Sequence, residues 1–168
     1  FQILSNPLIN AQGRTVIYGA VSDDTQGGRA ILAEGRGGTP GLGIVAQVGQ
    51  QAPGTDDGVV FQSLGTHVAS PNFQNFSINS QGQIVFYASL SGTGVDATTD
   101  HGFWVADADG NLILLAREGQ VIDLDDDPIT EDLWTISSLA SMYYSSGNQD
   151  GRGSAFNDHG QLTTTASL

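Results

Sequence analysis

An internal repeat constrains the fold of this chain more than any other feature of its sequence. An apolar residue, then Asn-x-x-Gly, then about seven strand-like residues occur in three copies, at 9–21, 78–90 and 156–168. In each copy the asparagine side chain can bond a nearby backbone N–H, and the glycine supplies the positive φ with which the chain re-enters a strand. The predicted turn residues are Asn10, Gly13, Asn79, Gly82, Asn157 and Gly160.

Other short apolar runs recur in step with these turns. They are rich in the β-branched and aromatic residues that half-buried strands favour. Each of the two full repeats contributes four such runs joined by turns, and only 133–144 has a pattern for which a short helix is an alternative. The matching runs are 29–34 with 102–107, 44–50 with 114–120, and 59–64 with 133–139.

These runs predict an all-β fold of tandem antiparallel four-stranded repeats, arranged as propeller-like blades or as an open β-sandwich-like array. Two repeats and a part cannot close a propeller, which normally has four or more blades. The alternatives are therefore an open array or closure through neighbouring chains. We expect a single domain over 1–168, with repeat 1 at about 1–68, repeat 2 at about 69–146 and a partial repeat 3 at about 147–168.

The charge balance excludes several classes of partner. The chain has 5 arginines, no lysine and 18 acidic residues, for a formal net charge of -13. So few scattered cations cannot neutralise a nucleic-acid backbone, and an anionic membrane surface is disfavoured for the same reason. Cysteine is absent, which excludes disulfides and thiolate chemistry. No apolar run reaches the roughly 18 residues of a membrane-spanning segment.

Composition favours an exported protein. Charged residues make up 14% of the chain, against about 25% in an average soluble domain. Ser, Thr, Asn, Gln and Gly must therefore cover much of the surface, as is typical of exported β-rich proteins. The expected location is the extracellular space or the cell surface. Residues 1–10 do not have the pattern of a signal peptide, so export would require that one has been removed.

The Asn-x-x-Gly turn, followed by an apolar strand with an aromatic residue and alanine, resembles the tandem NxxGxxAF-type repeats of bacterial exported proteins. The middle copy, 78–90, resembles them best, and 102–105 and 114–119 are similar to that family's second and third strands. The resemblance extends to 52–54 and 151–157. It implies an all-β repeat array on exported bacterial proteins, with no established enzymatic role.

Acidic residues cluster between 123 and 132, and carboxylates at alternating positions can converge on calcium. The candidate ligands are Asp123, Asp125 and Asp127. The calcium-loop template requires glycine where Pro128 stands and a bidentate glutamate where Trp134 stands, so a solvated acidic loop is the alternative interpretation. No cofactor apart from this calcium is predicted. A second, looser acidic group comprises Asp96, Asp100, Asp107 and Asp109.

No motif predicts an enzyme. His67, His101 and His159 lack the spacing of zinc-ligating pairs, and no Gly-x-Ser-x-Gly nucleophile elbow occurs. The glycine-rich segment 35–43 lacks the Gly-Lys-Ser/Thr ending of a phosphate-binding loop. We therefore expect the histidines to be structural or exposed and the chain to be non-enzymatic.

The two ends of the repeat pattern predict self-assembly. The third copy stops after its first strand, and a strand without neighbours has open backbone groups that can pair with another chain. At the other end, 1–4 is a short apolar run. We therefore expect a structural protein whose copies join head to tail into a filament. The residues expected at this joint are Phe1, Ile3, Leu4, Leu162, Thr164, Ala166 and Leu168.

Two alternatives to a filament remain open. The repeats could instead form a binding module of a larger exported protein, presenting acidic loops or aromatic side chains to calcium or carbohydrate. A fragment of a longer repeat protein would also have an open end. The expected partners are further copies of the chain, and the abundant serines and threonines are candidate attachment points for glycans.

Overall fold

The computed structural model describes residues 2–3, 7–20, 28–35, 40–65, 75–123, 132–140, 142 and 155–168, with residues 2 and 3 described by their backbone alone. These residues form fourteen β-strands and no helix. The all-β fold predicted from the sequence is confirmed. In this part of the chain no helix is present that could cross a membrane.

The first sheet has five antiparallel strands and contains the first Asn-x-x-Gly turn. β3 is central: it pairs with β4 on one edge and with β1 and β2 on the other, and β5 lies outside β4. The strands are β1 (Gln2–Ile3), β2 (Leu8–Ile9), β3 (Thr15–Ala20), β4 (Arg29–Glu34) and β5 (Leu42–Gln47).

The second sheet has the same strand order and contains the second turn. β8 pairs with β9 on one edge and with β6 and β7 on the other, and β10 lies outside β9. The strands are β6 (Val60–Leu64), β7 (Phe76–Ile78), β8 (Ile84–Ser91), β9 (His101–Ala106) and β10 (Leu112–Arg117).

The remaining strands form two short antiparallel pairs, and none of the four sheets closes on itself. β11 (Val121–Asp123) pairs with β12 (Leu133–Thr135), and β13 (Ser138–Leu139) pairs with β14 (Ala166–Ser167). The run 133–139, for which the sequence left a helix open, thus forms β12 and β13. The predicted repeat boundaries, and the choice between propeller-like and sandwich-like repeats, stay predictions.

The two five-stranded sheets share one hydrophobic core. Side chains at alternating positions of β3 and β4 and of β8 and β9 belong to the same buried cluster. Its aromatic centre is Trp104, whose ring packs edge-on against Phe61 at a centroid distance of 5.0 Å and stacks on Phe86 at 6.2 Å. Trp104 Nε1 donates to the carbonyl of Pro53 at 2.9 Å, so the buried indole N–H is satisfied.

The second sheet is also apolar on its opposite face. Phe103 is buried in a separate cluster with Ile136 and Leu139, and Tyr87 packs against that cluster. A strand that is covered on both faces has a continuous run of apolar residues in its sequence instead of an alternating pattern. Residues 84–88 are such a run. The second sheet therefore lies between the first sheet and the segment that contains β13.

Candidate functional site

Each Asn-x-x-Gly turn is closed by its own asparagine side chain. Asn10 Oδ1 accepts hydrogen bonds from the backbone N–H of Gln12 at 3.1 Å and of Arg14 at 2.9 Å. Asn79 and Asn157 accept the equivalent bond from the residue four positions on, at 3.0 and 2.9 Å. The glycines that complete the turns all have positive φ: Gly13, Gly82 and Gly160.

The structure brings the three turns together through these same side chains. Asn10 Nδ2 donates to the backbone carbonyl of Asn79 at 2.9 Å, and Asn79 Nδ2 donates to that of Asn157 at 3.0 Å. The backbone N–H of Ser80 also donates to Asp158 Oδ1 at 2.8 Å. We call the row Asn10–Asn79–Asn157 the asparagine ladder. It links residues that are far apart in the sequence.

The segment predicted to join copies is paired on one edge. β14 pairs with β13, with Ala166 opposite Leu139, and the carbonyls of Thr165 and Ser167 accept backbone bonds at 2.9 and 2.8 Å from the residues that flank β13. Because backbone groups alternate between the two edges of a strand, the N–H and C=O of Ala166 point to the other edge. Among the described strands β14 has β13 as its only partner, so no described strand occupies that other edge.

The other residues predicted at this end divide between the interior and the surface. Leu162 packs against the buried cluster that contains Phe103. Thr164 Oγ1 donates to the carbonyl of Ala140 at 3.1 Å. Leu168 is 46% exposed. The segment is therefore anchored within its own chain by Leu162 and Thr164, while Leu168 is available to solvent.

At the other end, the predicted joining residues lie on or beside an edge strand. β1 pairs with β3, with Ile3 opposite Gly19. It is the outermost strand on its side of the first sheet, as far as the described strands go. Phe1 and Leu4 lie outside the described residues.

The predicted calcium ligands are described only in part. Asp123 is the last residue of β11 and lies opposite Leu133 on β12. Asp125 and Asp127 lie outside the described residues, so calcium binding by this loop stays a prediction.

Two members of the looser acidic group close their own turns. Asp96 Oδ1 accepts the backbone N–H of Thr98 at 2.8 Å, and Asp107 Oδ1 accepts that of Asn111 at 2.7 Å. The side chains of Thr98 and Asn111 also donate to these carboxylates. These hydrogen bonds, the side-chain ones first, hold the pKa of Asp96 and Asp107 below the usual value of an aspartate.

The structure brings together three residues that the sequence did not predict as a site. They are Asp100, His101 and Glu118, and we call them the acid–histidine cluster. His101 Nδ1 lies 2.9 Å from Asp100 Oδ1 and 3.2 Å from Glu118 Oε2. One possible ligand atom from each residue lies within 4.8 Å of the other two. Glu118 is 6% exposed and is the one buried charged side chain of the described residues. Asp100 and His101 are about one-third exposed, at 32% and 34%.

A β-bulge positions this cluster. The register between β9 and β10 shifts by one residue at Leu115. Beyond the bulge, the backbone N–H of Glu118 donates to the carbonyl of His101 at 3.0 Å. In an unbulged register Arg117 would lie opposite His101 instead. The sequence predicted the two strands, at 102–107 and 114–120. Their apolar pattern does not show the extra residue of the bulge, so it could not indicate that Glu118 lies beside His101.

The first sheet has the same backbone arrangement with different side chains. β4 and β5 shift register at Val45, and the N–H of Val48 donates to the carbonyl of Arg29 at 2.9 Å. Arg29 and Val48 thus occupy the places that His101 and Glu118 have in the second sheet. The first sheet therefore has no acid–histidine pair at this position.

The neighbours of the acid–histidine cluster connect it to the β13 segment. Glu118 Oε1 accepts the backbone N–H of Leu139 at 2.9 Å, and the Tyr87 hydroxyl donates to the Leu139 carbonyl at 3.3 Å. The Tyr87 ring stacks on His101, with centroids 5.3 Å apart and planes 13° apart. Burial, and then the charges of Glu118 and Asp100, raise the pKa of Tyr87. Tyr87 therefore remains a neutral hydrogen-bond donor.

Comparison with known proteins gives one match. A family model described as a family of unknown function, DUF7453, matches residues 1–168. No curated protein and no solved structure matches the chain.

Proposed function

The chain belongs to the family of unknown function DUF7453, and we propose that it is a non-enzymatic structural protein whose copies join head to tail into a filament. The joint is a β-strand pairing between β14 of one copy and β1 of the next. The low content of charged residues and the absence of lysine support a location at the bacterial surface or in the extracellular space.

The edge of β14 that no described strand occupies is the observation that carries this proposal. β8 follows the second Asn-x-x-Gly turn as β14 follows the third, and β8 pairs on both edges, with β6 and with β9. Among the described strands β14 pairs with β13 alone. An unpaired edge presents a row of N–H and C=O groups, which a strand of another chain can satisfy.

The edge of β1 offers the complementary surface. β1 and β14 belong to different sheets, and each has an edge that no described strand occupies. A contact between two different surfaces is heterologous, so it can add copies without closing into a ring. The asparagine ladder and the shared core support a fixed relation between the sheets, which a regular filament requires.

The tandem-repeat interpretation is part of this proposal. The identical strand order of the two five-stranded sheets supports it, as does the ladder that joins three equivalent turns. The repeats then form a propeller-like or open sandwich-like array.

A proline substitution on β14 tests the joint. Ala166→Pro removes the N–H that points to this edge, and proline is tolerated where a strand N–H does not serve the existing ladder. Ala166→Val is the matched control because it retains the N–H. We expect filaments or large assemblies of the wild-type chain and of A166V in electron microscopy and light scattering. A166P should remain monomeric, with an unchanged far-ultraviolet circular dichroism spectrum.

Two results would contradict the proposal. One is a wild-type chain that stays monomeric at the highest concentration reached. The other is a folded A166P chain that assembles as readily as the wild type, since this edge of β14 would then not form the joint.

A further inference from the structure

The acid–histidine cluster has the chemistry of a metal site, and we propose that it binds one zinc ion. The ligands are Asp100 Oδ1, His101 Nδ1 and Glu118 Oε2. An imidazole nitrogen combined with carboxylate oxygens is a donor set that zinc uses in proteins. Calcium is disfavoured, since it takes six to eight oxygen ligands.

The spacing of the three side chains fits ligands around a single ion. Zinc lies about 2.0–2.2 Å from nitrogen and oxygen ligands, which places neighbouring ligand atoms about 2.9 Å apart at right angles and about 3.4 Å apart in a tetrahedron. His101 Nδ1 lies 2.9 Å from Asp100 Oδ1 and 3.2 Å from Glu118 Oε2. One possible ligand atom of each residue lies within 4.8 Å of the other two, so the widest separation has to shorten by at most about 1.4 Å to reach the tetrahedral spacing.

The charges at the cluster favour a divalent cation. Within the described residues, the ion pairs of Asp100 and Glu118 are both with His101 Nδ1. A neutral imidazole offers at most one N–H there to two negative groups, and a buried carboxylate such as Glu118 is costly unless its charge is balanced. An ion bound through deprotonated Nδ1 supplies two positive charges at the same point.

The surroundings of the cluster resemble the outer shell of a metal site. The N–H of Leu139 holds Glu118 Oε1, which leaves Oε2 directed at His101, and the Tyr87 ring restrains the imidazole. Outer hydrogen bonds of this kind orient metal ligands. Asp100 and His101 are partly exposed, so water can reach the site and complete the coordination.

The first sheet provides an internal comparison. Its equivalent positions hold Arg29 and Val48, of which one is a cation and the other apolar. Neither side chain can bind a metal ion in this setting. We therefore expect one zinc site per chain from this backbone arrangement.

Isothermal titration of the chain, prepared without a histidine tag, with zinc chloride tests the site. We expect one zinc ion per chain for the wild type, and binding weakened at least about 100-fold in His101→Gln, which loses a direct ligand. His159→Gln is the matched control, because His159 is exposed on the third turn, and it should bind as the wild type does. Cobalt in place of zinc should give visible absorption bands in the wild type and in H159Q, and none in H101Q.

Three outcomes would overturn the site. Equal zinc affinity in H101Q, or loss of binding in H159Q, would place the ion elsewhere. Absence of both the binding heat and the cobalt bands in the wild type would mean that the acid–histidine cluster does not bind zinc. The titration is independent of filament formation, so failure of either proposal leaves the other standing.

Discussion

The side chain of Asn79 uses its oxygen and its nitrogen for different purposes. Oδ1 accepts the backbone N–H of Gln83 within the turn, while Nδ2 donates to Gln83 Oε1 at 2.7 Å and to the carbonyl of Asn157 at 3.0 Å. Aspartate closes turns as well as asparagine does, but an ionised carboxylate has no donor for the neighbouring turn. The need for both a donor and an acceptor explains why asparagine occupies this place in the first two turns, where Nδ2 donates to the next turn.

Replacing Asn79 by alanine should therefore cost more than the same change in the third turn. Asn79 is 1% exposed, and its loss removes the turn closure and one rung of the asparagine ladder, for about 2–3 kcal/mol of unfolding free energy. Asn157→Ala, at an exposed position, removes a turn closure alone and should cost about 1 kcal/mol. Urea unfolding measures both, and an equal or larger loss in N157A would contradict a stabilising role for the ladder.

At the scale of strands and sheets, local patterns predicted much of what the structure contains. The runs at 29–34, 59–64 and 102–107 correspond to β4, β6 and β9, because alternation and β-branched residues are properties of each strand by itself. The acid–histidine cluster depends instead on pairing between strands. One extra residue, Leu115, decides whether Arg117 or Glu118 lies beside His101. Nothing in the local pattern marks a bulge, so this part of the site could not be predicted.

Substitution of Gly102 tests how tightly β9 is packed against its neighbours. A Cβ at this position would lie 2.8 Å from Trp104 Cη2 and 2.9 Å from the carbonyl oxygen of Ala116. Gly102→Ala should therefore cost about 1–3 kcal/mol through overpacking and should change the near-ultraviolet circular dichroism of Trp104.

Gly13→Ala is the control for this prediction. It has open space around the added methyl but a φ of +77°, so it should lose about 1–2 kcal/mol through backbone strain alone. Its near-ultraviolet spectrum should match that of the wild type. An unchanged spectrum in G102A would mean that the strand yields more readily than its contacts indicate.

At the scale of the whole molecule, the shared core makes the two five-stranded sheets depend on each other. Phe61, from the first strand of the second sheet, is fully buried and contacts both Phe86 and Trp104. The same cluster includes Tyr18 and Ile31 of the first sheet. Neither sheet can lose its packing without exposing apolar side chains of the other, so we expect the two to unfold together.

Phe61→Ala should lower the free energy of unfolding by about 3–5 kcal/mol. Far-ultraviolet circular dichroism and tryptophan fluorescence should report a single coincident transition in both the wild type and the variant. Ile113→Ala, at a side chain that is 51% exposed, should change stability by less than about 1 kcal/mol. Two separated transitions in the wild type would show that the sheets fold independently.

The matching bulges at Val45 and Leu115 give both five-stranded sheets the same backbone arrangement with different side chains. The backbone bond from Val48 to Arg29 reproduces the one from Glu118 to His101, so the main chain holds two positions in place whatever side chains they carry. The backbone arrangement therefore does not depend on whether these two side chains can bind a ligand. Substitutions at these two positions of a sheet can then introduce or remove ligand side chains while the backbone arrangement is kept.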